Sequence, residues 1–284
     1  MRKQIFYLLS LLVVGAFIST FEASAQRDNQ PVDNIFEKEH IRNKKPVPYP
    51  SLREADILWS KRVWRIIDLR EKINLPMYYP ISTKDDRYSL ISLLLYGIQH
   101  EGLPVYSKAN DEFTIPINYE AVNEAMGATT SVTEVFNPET NLYEEVEVTR
   151  DVRVEEVKQI MVKEVWFFDR NYSRLDVRIL GICPIREYTD DSGEVFKTQT
   201  FWINYPEARD LFARHEVFNA TNDAQRRSYD DIFTKRFFGS YIVQETNMYD
   251  NRGIESYAVG IEAMLESERI KNEIFNFEHD LWEF

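Results

Sequence analysis

The chain has 284 residues and a formal charge of -13, from 34 Lys and Arg against 47 Asp and Glu, with 44% hydrophobic residues, 9 glycines and one cysteine. Apolar and charged residues both sit near ordinary globular usage, which excludes a disordered tail protein and a multi-span membrane protein. The negative balance argues against nucleic acid as a partner, because a phosphate backbone is held by basic surface.

Arg2 and Lys3 precede an almost wholly apolar run, Ile5 to Phe17, and Ala23-Ser24-Ala25 places small residues where a signal peptidase reads. Residues 1–25 are therefore expected to be a signal peptide cleaved before Gln26. Ser10, Gly15, Ser19, Thr20 and Glu22 interrupt the run below the roughly 20 residues that a membrane span needs. No cysteine follows the small residues, so the signal is not of the lipoprotein type. Export permits disulfides, yet Cys183 is alone between Ile182 and Pro184, and a buried, inert thiol is expected.

Residues 26–50 are polar and then proline-punctuated, ending Pro46-Val47-Pro48-Tyr49-Pro50, and an extended arm reaching outward is expected. Residues 51–284 are expected to form a single domain, helical over 51–128, sheet-rich over 129–205, and mixed with a C-terminal helix over 206–284. Ser51-Leu52-Arg53-Glu54 has capping-box spacing, and Leu52, Ala55, Trp59, Val63, Ile66 and Ile73 recur at three- and four-residue intervals. The pattern predicts a long helix that stops before Pro76. A second helix is predicted from about Asp86 to His100, closed by Gly102 and Pro104, and a short one within Asn118 to Met126.

From Thr129 to Tyr205, β-branched residues and alternation take over. The clearest hairpin joins Val157–Asp169 to the alternating Leu175, Val177 and Ile179 through Arg170-Asn171-Tyr172-Ser173. A turn at Asp190-Asp191-Ser192-Gly193 leads to Val195–Asn204 and completes an antiparallel meander. Helices are predicted at Glu207–Val217 and Ser228–Phe233, and a strand at Phe238–Gln244. A last helix is predicted from about Ile254 to Leu281, with Ile254, Tyr257, Ile261, Met264, Ile270, Ile274, Phe277 and Leu281 on one stripe. The fold class is α+β, an antiparallel β-meander packed by N-terminal and C-terminal helices.

The chemistry motifs are missing from the sequence. There is no Walker A loop, dinucleotide fingerprint, nucleophile elbow, H-E-x-x-H or EF-hand spacing. His40, His100, His215 and His279 are far apart, and His215-Glu216 is better read as a locally bonded pair than as a catalytic dyad. Nine glycines are about half the average share of ~7%, few for substrate-cradling loops. No catalytic residue, metal or cofactor is expected.

Charge, by contrast, is polarised. Lys38–Lys72 holds ten basic residues against five acidic, a balance of +5, whereas Ile254–Phe284 holds eight acidic residues against Arg269 and Lys271, a balance of -6. The two ends could pair within one chain, as domain termini often do. Alternatively, the basic end of one copy could meet the acidic tail of the next or of a partner, a heterologous contact that makes rings or filaments. Aromatic and Arg residues anchor interfaces, so Trp59, Arg62, Trp64 and Arg65 are the candidates at one end and Phe277, Trp282 and Phe284 at the other.

Three blocks resemble a known family. Leu58-Trp59-Ser60-Lys61-Arg62-Val63-Trp64-Arg65-Ile66-Ile67-Asp68-Leu69-Arg70-Glu71-Lys72, with Leu75-Pro76-Met77-Tyr78-Tyr79-Pro80, is similar to the signature of the GldN family of gliding-motility proteins, also called PorN. Tyr229-Asp230-Asp231-Ile232-Phe233-Thr234-Lys235-Arg236-Phe237-Phe238-Gly239-Ser240-Tyr241-Ile242-Val243 agrees, as do Leu265–Lys271 and Ile274–Trp282. The resemblance implies a non-catalytic periplasmic component of the type IX secretion system of Bacteroidetes. It implies a ring built with an outer-membrane lipoprotein of the GldK or PorK type, which meets the periplasmic part of a GldM or PorM motor. The apparatus exports proteins bearing a C-terminal sorting domain and moves adhesins in gliding species. The competing expectation is an exported small-ligand carrier or hydrolase with an aromatic pocket in the meander.

Overall fold

A computed structural model describes residues 39–280 apart from 85, 138–141, 191, 220 and 223, with the backbone alone over 129–150. The signal segment, residues 26–38 of the arm, and Trp282 and Phe284 lie outside the described residues. The architecture is α+β, and every strand pair in it is antiparallel.

Ile57 to Asp68 is a strand, β1, where a helix was expected. Only a short 3-10 turn, Glu54–Asp56, stands where the capping box was read. Residues 57–62 alternate between half-buried and exposed, the period of a strand with one covered face. Val63 to Ile67 are all buried because both faces of the sheet are covered there. A strand buried on both sides loses its alternation and reads as a wide apolar helix. Leu75–Tyr78, with Pro76 in its first turn, follows as the short helix α2, after α1 at Glu39–Arg42.

The main sheet is ordered β11-β1-β5-β6-β8-β2, with β7 also on β6. Here β2 is Tyr106–Ser107, β5 Val157–Asp169, β6 Arg174–Thr189, β7 Val195–Gln199, β8 Phe201–Asn204 and β11 Tyr241–Glu245. The expected β5–β6 hairpin is present, turning at residues 170–173. The turn after β6 is closed by Gly193 N donating to the Asp190 carbonyl at 2.9 Å, with Gly193 at φ 84°. β3 (Thr129–Asn137) and β4 (Leu142–Arg150) pair only with each other, as do β9 (Glu216–Val217) and β10 (Arg227–Ser228), so the meander proper begins at Val157.

Helices cover one face of this sheet. These are α3 (Leu90–His100), α4 (Tyr119–Ala125), α5 (Tyr205–Arg214), α6 (Tyr229–Thr234) and α7 (Ile261–Asp280). Leu90, Leu94, Leu211, Phe212 and Phe233 meet Ile67, Ile160, Val162, Ile182 and Ile203 in the main core. A second cluster joins Val63 and Ile242 to Ile270 and Ile274 of α7. On the opposite face, Trp64, Cys183 and Trp202 pack under Tyr106 and Phe113. Gly181 lets Phe113 approach the strand, because a methyl there would lie 2.7 Å from Phe113 Cε1.

The arm departs from the outward course expected of it. Residues 44–50 have no regular secondary structure, and they lie along the domain. Tyr49 is sandwiched between Arg209 and Arg178, whose guanidinium carbons sit 4.2 and 4.9 Å from its ring centre. Arg209 Nη2 donates to the Val47 carbonyl at 2.8 Å, Arg178 Nη2 donates to the Pro50 carbonyl at 2.7 Å, and Lys44 pairs with Asp231. Arg209 is itself fixed by Asp230 at 2.9 Å in a buried pair that also takes the Tyr205 hydroxyl.

Candidate functional site

The stripe expected on one continuous C-terminal helix is split. Ile254 is buried in a 3-10 turn, Ile254–Ser256, and Gly260 at φ 65° separates that turn from α7. The helical phase restarts after the break. Ser267, Ile270 and Ile274 face the sheet, whereas Ile261, Met264 and Leu265 share the opposite face at i, i+3 and i+4. These three are 76%, 74% and 65% exposed, and Val259 just before them is 81% exposed. Beside them, Arg252 lies between the rings of Tyr249 and Tyr257, 4.6 and 4.8 Å from their centres, and the Tyr257 hydroxyl donates to Glu266 at 3.1 Å. A helix face of unbranched and branched aliphatics next to stacked tyrosines is what protein contacts use.

The sequence-nominated residues are placed differently from one another. Trp59 is half-buried and stacks on Phe277, with ring centroids 4.5 Å apart. Trp64 is core: it is 4% exposed and donates its indole N–H to Asp111 at 2.7 Å. Arg62 is exposed and holds Thr246 through its backbone. Arg65 is buried behind α7. Trp59, Arg65 and Phe277 therefore gather around one helix, while Trp64 lies on the other side of the sheet. The sequence stripe groups Ile261 and Met264 with Ile270 and Ile274, whereas in the structure the first two face outward beside Leu265 and the last two are buried. The signal for it was the six-residue step from Met264 to Ile270, which at 3.6 residues per turn puts the two on different faces of α7.

The two charged ends meet within the chain. Lys61 pairs with Glu245 at 2.6 Å and lies 3.6 Å from Glu273 of α7, and Arg269 joins Glu266 and Glu273 at 2.8 and 3.0 Å. Beneath α7 lies a cleft of about 610 Å³ lined by Arg65, Trp166, Arg236, Phe238, Lys271 and Phe275 among others. Behind two of these walls Glu164, fully buried, takes Arg236 in two hydrogen bonds of 2.9 and 3.2 Å and the Trp166 indole at 3.2 Å.

Other titratable groups have structural roles. Burial pushes the Cys183 thiol up to about 12, against hydrogen bonds from the Thr200 and Phe201 backbone, so it stays a thiol. His215 and Glu216 do not form a dyad on a helix. His215 packs against Tyr88 and Tyr96, burial holds its pKa below the usual value, and Glu216 in β9 pairs with Arg87 at 3.2 Å. Among the described residues, no group of three His, Cys, Asp or Glu could hold a metal ion, and no helix is long and apolar enough to cross a membrane.

The described residues thus form an α+β domain with an exposed apolar helix face and a charged cleft behind the same helix. The family model for the gliding motility associated protein GldN matches residues 52–283, and the chain belongs to that family. It is thus a gliding-motility-associated protein. A search of curated proteins gave no match.

Proposed function

We propose that this chain is a non-catalytic, exported subunit of the type IX secretion and gliding machinery. It assembles with an outer-membrane lipoprotein of the GldK or PorK type into a ring on the periplasmic side of the outer membrane. The ring faces the periplasmic part of a GldM or PorM motor. The single observation that carries the reading is the exposed row Ile261, Met264 and Leu265, an apolar helix face that joins no core cluster among the described residues. Family membership supports the machinery, and the apolar N-terminal run of the sequence supports export.

Contact with the lipoprotein would cover that row, with the flanking Glu262, Glu266 and Arg269 setting orientation. Deleting the gene should stop export of proteins bearing a C-terminal sorting domain, and re-expression of the wild-type chain should restore it. Export at the wild-type level in the deletion strain would refute the reading.

A further inference from the structure

The cleft beneath α7 carries a charge that its own walls do not satisfy. Arg65 is only 8% exposed, and its Nε donates to Ser240 Oγ at 3.1 Å. Its two terminal nitrogens have no hydrogen-bond partner among the described residues, and the side chain lines the cleft. Burial lowers its pKa and Arg236 adds to the fall, while Glu164 and the exposed Glu268 oppose it without reversing it. Glu164 is already engaged by Arg236 and Trp166. Among the lining residues Arg65, Arg236 and Lys271 face the single carboxylate Glu278, and Lys271 is held at 3.2 Å by the exposed Glu268.

A buried guanidinium fork with free terminal nitrogens fits a carboxylate, which accepts two parallel hydrogen bonds. The remaining walls, Trp166, Leu175, Phe238, Ile274 and Phe275, fit aromatic or aliphatic groups on either side of it. The ligand that matches is therefore an acidic residue flanked by large apolar ones. The chain carries such a segment in Leu281-Trp282-Glu283-Phe284.

We infer that the cleft behind α7 is a peptide-binding site that receives the Leu281–Phe284 segment of a second copy, with Glu283 on the Arg65 fork and the flanking aromatics against Trp166, Phe238 and Phe275. The helix carries its own C-terminal end away from the fork. α7 runs back along β1, with Phe277 at Trp59 and Glu273 at Lys61, which leaves Arg65 beside the stretch from Glu268 to Lys271. From Lys271 to Asp280 the helix rises roughly 14 Å. Glu278 lines the far end of the cleft, and from there the chain would have to reverse direction to bring Glu283 back to Arg65. A tail that enters its neighbour's cleft makes a head-to-tail contact, which propagates into a ring or a filament.

The inference rests on the proposed assembly role only in requiring that copies meet. A chain that binds its lipoprotein yet never self-associates overturns the inference and leaves that role standing. The test is the full chain with a photoreactive phenylalanine in place of Trp282, mixed with a mass-labelled copy, beside sedimentation of the wild type, Glu283→Gln and Arg65→Lys. Crosslinks between differently labelled copies, mapping to Arg236–Ile242 or Lys271–Glu278, are expected. Self-association should weaken at least about tenfold in both variants. An unchanged melting temperature of Glu283→Gln is the control that the variant reports on binding and not on the fold. Crosslinks confined to single chains, crosslinks to other surfaces, or unchanged self-association of Glu283→Gln would each overturn the inference.

Discussion

Trp59 at the start of β1 and Phe277 near the end of α7 stack with ring centroids 4.5 Å apart and planes 25° from parallel. This contact closes the domain, since it joins the first long strand to the last helix across most of the sequence. Trp59→Ala and Phe277→Ala should each lower the unfolding free energy. Their double mutant should show a coupling of about 0.5–1.5 kcal/mol, the range for aromatic pairs. Urea unfolding of the four proteins measures it, and strictly additive losses would mean that the rings do not stabilise one another.

Glu164 is fully buried and depends on Arg236. Arg236→Met should cost about 3–5 kcal/mol, because it leaves a buried carboxylate without its cation. Glu164→Gln with Arg236→Met should recover part of that loss. Chemical denaturation of the single and double variants checks the order.

Gly181 admits the Phe113 ring against β6. Gly181→Ala should destabilise the domain by about 1–3 kcal/mol through overpacking. The near-ultraviolet circular dichroism of the Trp64 and Trp202 cluster should change as well, since both pack with Phe113 or beside it. Gly181→Ala with Phe113→Leu should be closer to wild type than Gly181→Ala alone.

His215 is held neutral by burial, with the opposing influence of Asp86 and Glu101 weaker and Arg214 reinforcing the shift. A histidine with a depressed folded pKa binds fewer protons than the unfolded chain below its ordinary value of 6.5. Its contribution is therefore fully present above pH 6.5 and declines as pH falls through that value toward the folded pKa. His215→Phe should flatten this part of the stability profile. Thermal melts between pH 5 and pH 8, on the order of the range where histidine titrates, follow it.

Much of the fold was legible from local pattern. The β5–β6 hairpin, the Asp190 turn and the helix ending at His100 follow from alternation, turn residues and a Ser89 cap that accepts from Ser92 N. β1 was not legible as a strand. Its second half is covered by α7 on one side and by Trp202 and Phe113 on the other, so periodicity was erased by tertiary packing that comes from distant sequence. The exposed row on α7 was hidden for another reason: apolar residues recur along the whole helix, but the six-residue step from Met264 to Ile270 turns Ile261 and Met264 to the side away from Ile270 and Ile274. Arg65 was singled out as an interface arginine from charge alone. Its place in a buried cleft depends on Glu164 of β5 and on Arg236 and Ser240 from the segment before β11, two distant parts of the chain.

The most direct test of the assembly role is a crosslinked pull-down from cell envelopes with wild-type chain and a Met264→Glu, Leu265→Glu variant. Both substitutions lie on exposed positions, so the melting temperature should stay within about 2–4 °C of wild type. The account predicts a stoichiometric outer-membrane lipoprotein with the wild type and its loss with the variant. An unpartnered, monodisperse wild-type chain, or a variant that retains the lipoprotein at wild-type yield, would contradict it.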